Sequence, residues 1–299
     1  MYLRTVEILE TYLVKDLEIP VRFVDFAIGK FTGFETKNAV KKGIKRKRLA
    51  INGEYAETGV WVKSGDRIQL VLEATKPKPY DLEVPVIYED EFLAVVNKPS
   101  GIVVNGNLFK TLENCMVDRL KLSSQEDGLP WALPVHRLDA QTSGLVIFAK
   151  TSSIRRKLGE MLANKEIRKC YHAVVHGDVS KQIVETAVSG KESKSEIIPL
   201  EIVPSLRNDT LSLVQLLPHT GRTHQLRIHC AEVGSPIVGD KIYASENGTF
   251  SHKGLFLAAT SLELQHPATG GPLKVEIEIP PKFGSLLRRE KARWERKFT

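Results

Sequence analysis

The sequence predicts an α+β chain in two parts: a small N-terminal module, then a larger sheet domain with interspersed helices. The first ground is composition. The 299 residues are 42% hydrophobic and 26% charged, the balance of an ordinary globular protein with length for about two domains. The second is Thr75-Lys-Pro-Lys-Pro79, a Pro- and Lys-rich bridge of the kind that separates folded units. The third is a change of pattern across that bridge. Beyond it, apolar runs bounded by turns recur at 84–88, 92–96, 145–149, 171–175 and 211–216. These read as well-buried strands of one sheet, with helical patterns at 154–164 and 223–233.

Taken in order, Val6, Leu9, Leu13 and Leu17 fall at helical spacing, which predicts an amphipathic N-terminal helical arm over 1–17. A small α/β module over 18–74 follows. Within it, Thr36 is a candidate N-cap and Gly43 a candidate terminator for a short helix over 37–42. Asn52-Gly53 signals a two-residue hairpin turn, and the alternation over 67–72 signals a strand. A linker over 75–80, the sheet domain over 81–285 and a basic, helix-compatible tail over 286–299 complete the division.

Charge and cysteine usage exclude several classes. No stretch approaches the roughly 20 apolar residues of a membrane-spanning helix, and the N-terminus lacks the basic-then-apolar order of a signal peptide. Cys115, Cys170 and Cys230 lie far apart with no CxxC pair, which argues against a disulfide framework and a zinc site and for a reducing, cytoplasmic compartment. The net charge is +7, from 43 Lys+Arg against 36 Asp+Glu, compatible with attraction to a phosphate backbone. Seven basic residues and no acidic one lie between Lys37 and Arg48. A solvated charged face and a nucleic-acid surface both account for such a run.

The run His136-Arg-Leu-Asp139-Ala-Gln-Thr-Ser-Gly144 concentrates the chemistry. It sets a carboxylate beside two cation-forming side chains, then a small polar turn and an apolar strand. A glycine-containing turn lets a chain approach a ligand closely. Alone, Asp139 fits a structural turn residue as well as a functional one. His136, His224 and His229 match no zinc spacing, and Ser143 lacks the glycine-flanked elbow of a nucleophile. Lys98 and Lys150 read as solvated or phosphate-facing cations. Paired-carboxylate glycoside hydrolysis is disfavoured because no second acid stands in a comparable context.

His136-Arg-Leu-Asp139, two further residues and Thr142-Ser-Gly-Leu145 resemble the signature of the RluA-type family of RNA pseudouridine synthases. Lys169-Cys-Tyr171-His-Ala173, His219-Thr-Gly-Arg222-Thr-His-Gln-Leu226-Arg227, the run from Gly234 through Gly239-Asp240 to Tyr243, and Asn97-Lys98-Pro99 with Gly101 resemble its other motifs in order. The similarity covers about residues 80–280. Residues 18–73 resemble an S4 RNA-binding module through Lys42-Gly43, Ile51-Asn52-Gly53 and Gly65-Asp66-Arg67-Ile68, with Thr36-Lys37 where that family often has Ser-Arg.

The resemblance implies the pseudouridine synthase fold, a mixed and largely antiparallel sheet with flanking helices, and cofactor-independent isomerisation of uridine within RNA. It implies Asp139 as the essential carboxylate, acting as nucleophile or base, Arg227 as its partner and Tyr171 as the aromatic stacked on the target base. Arg137 fills the space of the flipped uridine, Leu226 forms an apolar wall, His136 supports the Asp139 loop, and Arg222 joins the substrate contacts. Thr223 is read as the cap of the helix carrying Arg227. Lys37, Lys41, Lys42, Lys45, Arg46 and Arg48 are the RNA-binding residues. RNA is the implied partner, ribosomal RNA ahead of transfer RNA, with a monomer and no metal or membrane. The competing reading is a non-catalytic RNA-binding or ribosome-assembly protein on the same fold. After Val104, Asn105-Gly-Asn107 stands where many relatives have histidine and proline, and 108–134 is individual; both bear on substrate choice.

Overall fold

A computed structural model of the chain describes residues 8–71, 76–206, 209–244 and 254–298. The chain divides into two compact units, Met1–Pro77 and Lys78–Thr299. Among the described residues, no helix is long and apolar enough to cross a membrane.

The first unit comprises β1 (Ile8–Leu13), β2 (Val21–Arg22), α1 (Phe23–Phe26), α2 (Lys37–Lys45), β3 (Leu49–Ile51), β4 (Glu54–Tyr55), β5 (Trp61–Val62) and β6 (Arg67–Val71). One sheet has the order β1-β6-β3-β4, and β2 pairs with β5. Phe23, Phe31, Phe34, Val40, Leu49, Val62 and Ile68 form its core. The predicted helical arm is corrected here, because Ile8–Leu13 is an edge strand antiparallel to β6. Val6 lies outside the described residues. Thr11 and Tyr12 favour extended backbone, and pairing with the edge of β6 satisfies main-chain groups that a short isolated helix would hold only marginally.

Thr36 caps α2, its hydroxyl accepting from the Ala39 amide at 3.1 Å. Gly43 does not end the helix. It lies inside α2, where an added Cβ would stand 2.2 Å from the Phe34 ring, so glycine serves close packing there. Asn52 and Gly53 both take positive φ, 51° and 84°, the two-residue turn between β3 and β4.

The second unit contains β7 (Val86–Glu89), β8 (Leu93–Lys98), α3 (Leu112–Met116), β9 (Gly128–Pro134), β10 (Ser143–Thr151), α4 (Ser152–Ala163), β11 (Arg168–His176), β12 (Gln182–Val184), β13 (Ser195–Ser205), β14 (Asp209–Pro218), α5 (Gln225–Glu232), β15 (Leu257–Gln265), β16 (Pro272–Glu276) and α6 (Pro281–Phe298). Its sheet runs β12-β13-β14-β11-β15-β10-β8-β7, with β16 paired to β15 and β9 to β10. Every pairing is antiparallel except β10 with β15. The fold is thus the mixed, largely antiparallel α+β sheet that the sequence predicts. Far from being a separate tail, α6 buries Phe283, Leu286 and Leu287 in the main core.

The parallel contact between β10 and β15 is short, joining only Ser143 to Ala258 and Gly144 to Ala259. Beyond it the sheet forks: β10 turns to β9 from Phe148 onward, and β15 turns to β16 from Ser261 onward. At the outer end, Asp90 ties the two arms together. Its carboxylate accepts from Tyr88 Oη at 2.7 Å, from the Phe92 and Leu93 amides at 2.7 and 2.8 Å, and from His266 Nε2 at 2.8 Å. The Ala268 and Thr269 amides donate to His266 Nδ1, which leaves the Nε2 proton for Asp90.

Burial pushes the Asp90 carboxyl up, but these donors outweigh it and hold it below the ordinary carboxylate value. A depressed carboxyl stabilises the fold above the unfolded-state value of about 3.9 and loses that contribution as pH falls through the folded-state value. Asp90→Asn is therefore expected to cost about 2 kcal/mol at neutral pH. Urea midpoints recorded from pH 7 down through pH 3 should converge for wild type and variant; a constant gap would refute the assignment.

Candidate active site

The loop between β9 and β10 leaves Pro134, passes His136 into the fork and returns at Ser143. His136 Nε2 accepts from the Ile147 amide at 3.2 Å, so this ring supplies the hydrogen bond that the diverging strands no longer give each other. This corrects the expectation that His136 supports the Asp139 loop directly: it braces β10. Burial pushes its pKa well down, with the Lys169 charge adding to the effect, as a neutral acceptor requires. Asp139 follows three residues later and is held by its carbonyl, which accepts from the Thr142 amide at 3.1 Å.

A second clamp comes from the turn after β8. The Lys98 ammonium is fully buried and donates to the carbonyls of Pro99, Ile102 and Ala140 at 2.9, 2.9 and 3.1 Å. The Gly101 amide meets the same Ala140 carbonyl at 2.7 Å, and Ser100 Oγ donates to the Gln141 carbonyl at 2.7 Å. Burial lowers the Lys98 pKa to about 8, while the Asp139 charge acts to raise it. Lys98 is thus neither solvated nor phosphate-facing. Lys150 is buried too, at the outer end of the fork, between Glu89 and the Asp90 carbonyl.

One cross-strand row explains how the sheet presents the site. Lys98 pairs with Gly144, Gly144 with Ala259, Ala259 with Tyr171 and Tyr171 with Leu216. Directly opposed residues share a sheet face, so two small, buried residues, Gly144 and Ala259, separate the lysine from the tyrosine. Tyr171 is partly buried, and burial first, then the Asp139 charge, push its phenol above the ordinary range. It stays a neutral aromatic wall. Leu226 belongs to the buried cluster on which Tyr171 packs.

Opposite the loop stands α5. Thr223 is not its cap: His224 occupies that position with φ 58° and no capping hydrogen bond from its side chain. Gln225 does the local bonding instead, its Oε1 accepting from Thr220 Oγ1 and the Arg222 amide at 2.7 and 3.0 Å. Arg227, in the first turn as predicted, is buried. It lies against Asp139 as the sequence reading expects, but its closer partner is Asp240, which that reading did not name as one. Nε and Nη2 donate to the two Asp240 oxygens at 2.7 and 2.8 Å, whereas Nη1 faces Asp139 Oδ2 at 3.7 Å. His224 Nε2 faces Asp139 Oδ1 at 3.6 Å. Both approaches exceed hydrogen-bond length.

Burial opposes the Asp240 charge, yet Arg227 and the Ile242 and Tyr243 amides hold its carboxyl below the ordinary value. Asp240 and Tyr243 had a sequence signal, the Gly239-Asp240 and Tyr243 positions of a motif, but spacing assigns them no partner. Arg137 and Arg222 are exposed, the latter's Nε donating to the Glu192 carbonyl at 3.2 Å. Within the first unit, Lys37, Lys41, Lys42, Lys45 and Arg46 are exposed and Arg48 half-buried. Lys37 meets Asp25 at 2.7 Å, and Arg48 lies 5.6 Å over the Phe34 ring.

Comparison with known proteins decides the family. The RNA pseudouridylate synthase family model matches residues 92–232. An uncharacterized RNA pseudouridine synthase of Chlorobaculum parvum is 30% identical over 316 residues, which cover 92% of this chain and 96% of that one. The chain belongs to the RluA-type family of RNA pseudouridine synthases. The ribosomal large subunit pseudouridine synthase D of Pseudomonas aeruginosa is 33% identical to this synthase, covering 83% of it and 86% of the relative. Among solved structures, human RNA pseudouridylate synthase domain containing 4 shares the fold at a TM-score of 0.55 and 23% identity, covering 68% of this chain and 92% of its own.

Gly144 leaves no room for a side chain. Its φ is +116°, and an added Cβ would lie 2.1 Å from the Ala259 carbonyl oxygen. Gly144→Ala is expected to part β10 from β15 at a cost of about 3 kcal/mol or more, together with loss of activity. Urea unfolding measures the first and product formation the second. A variant of normal stability would show that the parallel contact does not hold β10 to β15.

Proposed function

We propose that this RNA pseudouridine synthase isomerises a uridine of structured ribosomal RNA with Asp139 as the essential carboxylate. The ribosomal reading rests on relatives named as large-subunit synthases. The Asp139 reading rests on one observation: its carboxylate faces His224 and Arg227 at 3.6 and 3.7 Å, attracted to charge without being locked in a close hydrogen bond.

The reaction breaks the bond from uracil N1 to C1′ and forms one from C5 to C1′; C5 loses a proton and N1 gains one. As nucleophile at the sugar or as base, Asp139 must be ionised. The Arg227 guanidinium stands 3.7 Å from it as the nearest arginine charge among the described residues. The uridine must leave its stack at a cost of a few kcal/mol. Tyr171 then stacks on it, Leu226 backs it, Arg137 takes the vacated place between bases, and Arg222 and the Asp139 loop contact the strand. In the first unit, the S4-like pattern and the exposed lysines of α2 support an RNA-docking surface formed by Lys37, Lys41, Lys42, Lys45, Arg46 and Arg48. A monomer in a reducing, cytoplasmic compartment suits this work and the free cysteines.

Tritium release from RNA labelled at uridine C5 follows the bond change itself. Wild-type protein is expected to release tritium from ribosomal RNA lacking the modification, and Asp139→Asn to fall at least about 10³-fold. Release undiminished in the variant would reject the assignment, and release confined to transfer RNA would reject the substrate class.

Replacing Lys41, Lys42, Lys45 and Arg46 by Gln should weaken RNA binding and flatten the dependence of log Kd on log salt by roughly three. The single-turnover rate at saturating RNA should change little. An equal loss in that rate would misplace the docking surface.

A further inference from the structure

Asp139 is approached from two sides, and only the Arg227 side has been given work so far. The other side is His224, in left-handed backbone geometry at φ 58° and ψ 14°, which is uncommon for a residue other than glycine and needs surrounding support. The ring does not cap α5. One nitrogen, Nδ1, lies 2.9 Å from Tyr243 Oη, and the two rings meet edge-on at 5.7 Å. The other, Nε2, points at Asp139 Oδ1 across 3.6 Å.

Tyr243 is itself held in place. Its amide donates to Asp240 Oδ1 at 3.1 Å, and the Arg227 guanidinium lies 5.2 Å over its ring. Asp240 therefore governs both approaches to Asp139. It clamps Arg227 directly, and it fixes Tyr243, which fixes His224.

We propose that His224 is a positioning residue for Asp139, set by Tyr243 so that a proton on Nε2 always faces Oδ1 of the carboxylate. This inference rests on the reading of Asp139 as the essential carboxylate. The chemistry of imidazole supports it. With the Tyr243 hydroxyl donating to Nδ1, the neutral ring carries its proton on Nε2; the doubly protonated ring carries one there as well. Only the neutral tautomer protonated on Nδ1 would aim a lone pair at the carboxylate, and the two would repel. The Nε2 proton on Oδ1 and Arg227 Nη1 near Oδ2 together set the rotation of the carboxylate plane, which decides how it meets the sugar or the base. The groups facing the ring are Asp139, Tyr243 and, beyond Tyr243, Arg227.

Two measurements test this. Nitrogen–proton correlation spectra of the full-length protein labelled on histidine should show His224 Nε2 carrying its proton, with Nδ1 bare and hydrogen-bonded. A proton on Nδ1 and none on Nε2 overturns the proposal without reference to activity. Tyr243→Phe removes the hydroxyl and keeps the ring beneath Arg227. It is expected to lower kcat about 10- to 100-fold with KM and melting temperature unchanged. His224→Gln, which can still offer an N–H to Oδ1, should retain more kcat than His224→Leu. Wild-type kcat in Tyr243→Phe, or equal losses in the two His224 variants, would show a merely structural contact. Asp139→Asn separates the two readings. If that variant remains active, the Asp139 assignment fails whatever the histidine spectrum shows; if it is inactive and Tyr243→Phe is unimpaired, only the His224 proposal fails.

Discussion

The orientation of one guanidinium governs the whole site. Arg227 spends Nε and Nη2 on Asp240 in a two-pronged pair at 2.7 and 2.8 Å, the strong planar geometry available to arginine and carboxylate. That leaves Nη1 alone to look toward Asp139. Were the fork turned onto Asp139, the reactive carboxylate would be bound on both oxygens and would have to break those bonds to react. Asp240 prevents this because it is almost wholly buried and bonded to two backbone amides as well. Asp139 thus faces Arg227 and His224 at 3.7 and 3.6 Å, which leaves its lone pairs outside any close hydrogen bond to either.

Placing a loop carboxylate against a helix demands a gap in the sheet, and the fork supplies it. Two residue pairs of parallel contact join β10 to β15, after which each strand takes another partner. Divergence leaves main-chain groups without a neighbouring strand, a cost that buried sheets seldom bear. His136 answers the Ile147 amide, and Asp90 with His266 closes the outer end. Gly144 and Ala259 then keep the row between Lys98 and Tyr171 free of bulk. That row follows from topology and two small residues, and Asp139, Tyr171 and Arg227 stand on separate elements.

Much of this was legible in the sequence, for reasons that differ by element. Strands β8, β10, β11 and β14 are buried apolar runs that no other structure accommodates well, and Asn52-Gly53 adopts one turn readily. The motif residues Asp139, Tyr171, Leu226 and Arg227 do converge, because their spacing is tied to strand ends and a helix turn. Pairwise contacts were less legible. Nothing in spacing says that Arg227 prefers Asp240 to Asp139, since that depends on which carboxylate is buried and already carries amide donors. Lys98 reads as a solvated cation because lysine usually is one; three converging carbonyls are invisible until the turn is folded. The N-terminal segment misleads for a similar reason. Its apolar spacing suits a helix, but an unpaired edge at β6 recruits it as a strand.

The net charge of +7 invites a single explanation, RNA affinity, yet the cations divide into two populations with different physics. On α2 the lysines are exposed. Ion pairs of exposed lysines contribute little to stability, and cations so placed act mainly through long-range, salt-sensitive attraction. Lys98, Lys150 and Arg227 are buried, where salt screens them far less. Each is tied to specific oxygens, so a lost partner leaves a charge stranded in low dielectric. The first population can change in number and position with only graded effects on binding. In the second, Lys98 holds the Asp139 loop, Arg227 belongs to the helix that faces it, and Lys150 ties the outer end of the fork. The same excess of positive charge is therefore spent in two ways, as exposed cations on α2 and as buried cations tied to the sheet and to α5.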